Sequence, residues 1–124
     1  SGTATGVSTE MLARFLANTT TRIYSIDSGV EQHQEDLLAE AAYRLKPFPN
    51  VVLISGDGLD VIPRLLRLHR GQRIGVFVDG PKAKLGITLC FRTLRFSRDV
   101  KFVAQHDVRP QAVGERMAGF ILGW

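Results

Sequence analysis

The chain holds a single cysteine, Cys90, so no internal disulfide can form. A lone thiol points to a reducing compartment, and a cytoplasmic location is the expectation. Long apolar runs are also missing. The longest, Val51 to Ile54 and Phe120 to Leu122, fall far short of the roughly 20 residues that a membrane-spanning helix needs. The first residues lack the basic-then-apolar layout of a secretory signal. There is no phosphate-binding loop of the G-x-x-x-x-G-K-[ST] kind, no zinc-type cysteine pair and no G-x-S-x-G nucleophile elbow. Membrane insertion and several familiar catalytic schemes are therefore set aside.

What is present is ordinary for a soluble globular domain: 44% hydrophobic and 23% charged residues over 124 positions. That length suits one small domain with one core, so residues 1–124 are expected to form a single unit. No repeat, low-complexity tract or linker interrupts it. The net charge is +4, and Arg64, Arg67, Arg70 and Arg73 recur every three residues. A phosphate or nucleic-acid contact is one meaning of such a stripe. A solvated helix face with its exit turn explains it more simply, because no aromatic residue interleaves to stack a base. Nucleic acid is the lesser option here.

Element types alternate along the chain. The opening "SGTATGVSTEML" reads as a loop bearing Gly2 and Gly6 that feeds a helix over 8–18, with Ser8 as N-cap and Asn18 as stop. "RIYSID", 22–27, reads as a strand. Residues 33–45 read as a helix with Leu37, Leu38, Ala41, Ala42 and Leu45 on one face, ended by "KPFPN". "VVLIS", 51–55, is a continuous apolar run, as in a strand buried on both faces. After the turn "GDGLD", a helix carries Ile62, Leu65, Leu66 and Leu68. "IGVFVDG", 74–80, is again strand-like and buried, 82–96 helical, and "VKFVAQHD", 100–107, a strand. The tail carries Val113, Met117, Phe120, Ile121 and Trp124 at helical spacing, weakened by Gly114, Gly119 and Gly123.

Helix alternating with strand predicts an α/β fold with a mostly parallel sheet and helices on its faces. In such folds ligands bind beyond the carboxyl ends of the strands. Asp27, Asp57, Asp79 and Asp107 each stand at or just past a strand end. An acid about 20 residues beyond a glycine-bearing loop is placed to hold a ribose hydroxyl pair, though a capping or loop role for Asp27 stands level with that reading. Asp57, in "SGDG", can accept a bond from an adenine amino group or simply hold a tight turn.

The ordered set "GVSTEMLARFL…RIYSID…ISGDGLDVIPRLL…GVFVDGPKA…VKFVAQHD" resembles class I S-adenosylmethionine-dependent methyltransferases over residues 4–107. The resemblance implies a Rossmann-like sheet. It implies that Gly6, Ser8 and Thr9 line the methionine side of the cofactor, that Asp27 meets the ribose, and that Asp57 and Gly58 meet the adenine. Within that family the pattern is similar to metal-dependent O-methyltransferases of the catechol and caffeoyl-CoA type and to cephalosporin-hydroxylase-like members. Their metal ligands would fall on Asp79, His106 and Asp107, with Asp79 and His106 doing the chemistry on a small-molecule acceptor. Oxygen ligands suit Mg²⁺. A histidine departs from that set, and His106 as general base is the other reading, while a structural strand-end histidine is a third. Lys82 is read as a solvated helix-start residue or a guide for an acidic substrate.

Two parts of the family pattern have no counterpart in the motifs. The central first strand would precede Gly2, with at most "TAT" at 3–5 as a fragment of it. The antiparallel hairpin after the last strand is not legible either. An incomplete sheet leaves backbone groups to be paired, so self-association is expected, with Phe120 to Trp124 as a candidate contact. His33 and His69 stand apart from other ligand types, and Cys90, beside Phe91 and Leu94, reads as a buried inert thiol.

Overall fold

The computed structural model describes residues 3–29, 34–79 and 83–106. Its elements alternate throughout: α1 (Val7–Phe15), β1 (Ile23–Asp27), α2 (Gln34–Leu45), β2 (Val51–Ser55), α3 (Gly58–Leu68), β3 (Ile74–Val78), α4 (Ala83–Phe96) and β4 (Val100–Gln105). The chain is an α/β protein, and among the described residues its strands pair in parallel, in two sheets of two strands each. It divides into two compact units, 1–68 and 69–124.

In the first unit β1 and β2 run in parallel register from Ile23 opposite Val51 to Asp27 opposite Ser55. The ladder continues past both ends, with Ile23 N–H donating to Asn50 O at 2.9 Å and Gly56 N–H to Asp27 O at 2.7 Å. Ala13 of α1, Ile26 of β1, Ala41 and Leu45 of α2, and Ile62 and Leu66 of α3 are buried. Each large aliphatic side chain so buried contributes roughly 1.5–3 kcal/mol. The i, i+4 spacing of Ala41 with Leu45 and of Ile62 with Leu66 puts one face of each helix inward. Pro47 and Pro49 then stop α2, as their missing amides require.

In the second unit β3 and β4 are parallel, Gly75 opposite Phe102 and Val78 opposite Gln105. A register shift between Ile74 and Gly75 leaves Lys101 as an extra residue on β4. One sheet face carries Val76, Val78, Val103 and Gln105 and meets α4, where the Cys90 thiol lies 3.5 Å from Gln105 Oε1. Val78, Ile87 and Leu89 are its buried aliphatic residues. The other face carries Gly75, Phe77 and Phe102, and both rings are exposed, at 48% and 60%.

Three expectations need correction. Helix α1 spans Val7–Phe15 rather than 8–18, and its N-cap is Gly6 with no side-chain cap; Ser8 stands exposed inside the first turn. Strands β2 and β3 are not buried on both faces, since Val52 is 39% and Phe77 48% exposed. Among the described residues each sheet has two strands, and these faces do not receive the double cover of a wider parallel sheet. Residues 3–5 are a turn rather than a strand fragment, closed by Gly6 N–H donating to Thr3 O at 2.8 Å.

Candidate functional site

In the first unit the site is built around Asp27, the last residue of β1. One carboxylate oxygen, Oδ2, accepts the backbone amides of Thr3 at 2.7 Å and Ala4 at 3.0 Å. The other, Oδ1, accepts Gly29 N–H at 3.2 Å. The turn 3–6 is thus drawn onto the strand end by a charge, and hydrogen bonds to a charged acceptor are the stronger kind. Ser25, buried one pleat earlier, holds the same turn from below: its Oγ lies 2.9 Å from Thr3 Oγ1 and 2.8 Å from Thr9 Oγ1. The expected cofactor residue Thr9 therefore spends its hydroxyl on β1.

Gly6 is fixed by two requirements. Its φ of +80° is left-handed, and a Cβ there would stand 3.2 Å from Ala41 Cβ. A larger residue would pay both a backbone and a packing cost. Ala4 also has a positive φ, 43°, a conformation that non-glycine residues adopt rarely. The hydrogen bond its N–H donates to Asp27 Oδ2 offsets that strain. Arg44, at the end of α2, ties the turn from the side: Nε donates to Thr5 O at 3.0 Å, while its other nitrogens reach Glu10 at 3.3 Å and Glu40 at 2.9 Å. The Arg14 guanidinium, with Arg44 second, holds the Glu10 carboxyl below the usual carboxylate range.

Asp57 caps α3. Its Oδ1 accepts Leu59 N–H at 2.8 Å, and its carbonyl accepts the amides of Asp60 and Val61. Gly58 is the buried first residue of that helix. An acid at this point satisfies helix donors that would otherwise be orphaned.

In the second unit Asp79 directly follows β3 and His106 directly follows β4. His106 N–H donates to Val78 O at 2.9 Å, continuing the ladder, and this brings His106 Nδ1 to 3.1 Å from Asp79 Oδ1. The pair is open to solvent, the imidazole 60% and the carboxylate 34% exposed. Parallel register is what unites two residues 27 apart in sequence. Among the described residues no three His, Cys, Asp or Glu side chains gather as a metal site. Asp107, Lys82, His33, Gly2 and the tail with Val113, Met117 and Phe120 to Trp124 lie outside the described residues. The thiol of Cys90 is half-buried and burial pushes its pKa up, as befits an inert cysteine.

Two open hollows in the first unit lie away from Asp27. One, of about 540 Å³, is lined by Glu10, Tyr43 and Arg44 among others; the second, of about 500 Å³, lies at the start of β1 and β2 beside Arg22 and Asn50. Neither has the enclosed shape of a ligand pocket, and the bound turn marks the site better than these two do. Sequence reasoning missed Ser25 and Arg44. The signal for Ser25 is a polar residue between the apolar Tyr24 and Ile26 of a short strand. For Arg44 it is the i, i+4 spacing from Glu40, which gives the helix pair but not the bond to Thr5.

No protein-family model, no curated protein and no solved structure matches this chain.

Proposed function

We propose that the chain is a methyltransferase-like domain that binds S-adenosylmethionine and transfers its methyl group to an oxygen of a small-molecule acceptor. One observation carries the reading: a carboxylate at the end of a parallel strand, Asp27, sits beside a turn that leads into a helix N-terminus. That combination offers a ribose two hydrogen-bond acceptors and offers the rest of the ligand backbone amides. A carboxylate has about four lone-pair positions, and Oδ1 has one long bond among the described residues, so capacity remains. Alternating helix and strand with parallel pairing is what a Rossmann-like sheet requires.

In this reading Asp79 and His106 orient and deprotonate the acceptor hydroxyl. The imidazole bonds Asp79 through Nδ1, which directs Nε2 to the acceptor. In the alternative where His106 is a ligand instead of the base, a divalent ion such as Mg²⁺ would be held by Asp79 and His106 together with Asp107, and would supply acidification of the bound hydroxyl. Methyl transfer itself is chiefly alignment of donor and nucleophile. A second copy of the chain is the partner this reading expects. Val7, Met11 and Phe15 lie on one face of α1 at i, i+4, i+8 and are 47%, 68% and 83% exposed, more apolar surface on one helix than scattered exposure explains.

A second reading, a non-catalytic relative of that fold serving as a binding or assembly module, is favoured by how much is already spent. Asp27 Oδ2, Thr9 Oγ1 and Asp57 Oδ1 are each engaged within the chain. Calorimetric titration with S-adenosylhomocysteine separates the two. Binding by the wild type that is weakened in Asp27→Asn supports the enzyme; no heat at millimolar ligand removes it and leaves the module.

A further inference from the structure

Charge is divided unevenly between the two units. Residues 1–68 hold six Lys and Arg against eight Asp and Glu, a net −2; residues 69–124 hold ten against four, a net +6. Such asymmetry within one chain is a mark of a polyanionic partner.

The fold gathers much of that excess at one end of the second unit. The turn before β3 and the turn before β4 are stitched together: Gly71 N–H donates to Asp99 Oδ2 at 2.8 Å and Ile74 N–H to Asp99 O at 3.0 Å. The first turn carries Arg70 and Arg73. The second carries Arg98 and is fed by the end of α4, with Arg92 and Arg95 one helical step apart. Lys101 is the extra residue of the register shift on β4, and its Nζ donates to Arg98 O at 3.1 Å. All six cations are exposed. Among the described residues none of the five arginines forms a salt bridge, and the one described acid beside them, Asp99, has an oxygen committed to Gly71. One arginine in the last turn of α4 is accounted for by the helix dipole. Five guanidinium groups at one pole with no acidic partner among the described residues are not.

The same pole presents an aromatic ring. Phe102 lies against Gly75, where a Cβ would collide with it, so the glycine lets the ring lie flat over the strand. It is 60% exposed and sits two residues from the start of β4.

We propose that this pole binds single-stranded nucleic acid, the arginines taking successive phosphates and Phe102 stacking a base. Arginine suits phosphate because its planar fork can donate two bonds to one group. An exposed ring beside a cationic track is how sequence-tolerant single-strand binding is built. An anionic membrane would be met equally well by lysines and has no use for a ring held flat on a sheet. The proposal is independent of the cofactor reading, because Asp79 and His106 lie at the opposite ends of the same two strands.

The test is fluorescence anisotropy of a labelled oligouridylate, its deoxythymidylate counterpart and a duplex, over a range of salt. Wild-type protein is expected to bind both single strands, with affinity falling steeply as salt rises. Arg92→Ser/Arg95→Ser/Arg98→Ser, all exposed positions, should bind at least tenfold more weakly, with a log–log salt slope shallower by about 2. Phe102→Leu should lose about tenfold on single strands and nothing on duplex. Arg22→Ser/Lys46→Ser, in the first unit, should bind as wild type. A ribose preference would assign RNA, and equal affinity would assign the phosphate backbone; either supports the proposal. It is overturned if no oligonucleotide binds at low salt, if the triple variant binds as tightly as wild type, or if the chain binds phosphatidylserine vesicles and no oligonucleotide.

Discussion

Both units end their first parallel strand on or beside an aspartate, yet they use the acid in opposite ways. In the first unit Asp27 collects backbone amides from a turn 24 residues upstream and fixes its shape. In the second, Asp79 meets a side chain, the His106 imidazole, brought by the neighbouring strand. The first carboxylate fixes a turn of backbone, and the second, about a third exposed, meets a titratable side chain. An acid at a strand end is therefore only a placement. Its role is set by what the rest of the chain delivers there: donors with no other partner in one case, and an exposed imidazole in the other.

The largest expected effect follows from that contrast. Asp27→Ala removes the acceptor for three amides, those of Thr3, Ala4 and Gly29, two of them part-buried, and the two shorter bonds to a charged acceptor contribute roughly 1.5–3 kcal/mol each. Chemical denaturation should show a loss of about 3 kcal/mol, with faster hydrogen exchange at Thr3 and Ala4. His106→Ala, which breaks the solvent-exposed pair with Asp79 from the exposed side, should cost under about 1 kcal/mol. Equal losses from the two variants would erase the distinction between the two acids.

Much of the fold was legible in the sequence because it is local. Strand β2 falls on the five residues of "VVLIS", and the alternation of elements holds over the described residues, since apolar periodicity and the proline-bounded "KPFPN" act within a few positions. The placing of acids at strand ends was legible for the same reason. What was not legible depends on partners far along the chain. Ser8 satisfies the residue preference for an N-cap, but the helix begins at Val7 because Gly6 turns the chain in left-handed geometry against Ala41. The burial of β3 on one face only depends on how many elements cover it, which no strand encodes. Arg73 and Arg98 are 25 positions apart in sequence, and the bond from Ile74 N–H to Asp99 O brings their two turns together, a proximity that spacing along one helix does not encode.

An intermediate effect is expected at the glycines with positive φ. Gly6 and Gly71 have similar backbone geometry, φ +80° and +84°, but a Cβ at Gly6 meets Ala41 while one at Gly71 meets nothing within 4 Å. Left-handed geometry alone costs an alanine roughly 1–2 kcal/mol. Gly71→Ala should therefore lose about 1 kcal/mol, and Gly6→Ala about twice that, because α2 must also give way. Thermal or denaturant unfolding of the two variants measures the difference. If both lose the same amount, the turn in the first unit is not packed against α2 as tightly as the contact at Ala41 requires.

The smallest effect concerns how the first unit holds its turn as pH falls. Glu10 is bonded by Arg14 at 2.7 Å and by Arg44 at 3.3 Å, and these guanidinium groups hold its carboxyl below the usual range. A carboxyl with a depressed folded-state pKa stabilises the fold fully above its unfolded value, and that contribution is lost as pH falls through the lower folded value. Protonated Glu10 would leave Arg44 with Glu40 and the Thr5 carbonyl alone. The unfolding midpoint of the wild type should thus fall in acid by slightly more than that of Glu10→Gln, which carries no such charge. The difference should shrink at high salt, because the ion pairs are near the surface and are screened. Matching acid profiles for the two proteins would show that Arg44 holds the turn through Thr5 without help from Glu10, leaving Asp27 and Ser25 as its principal anchors.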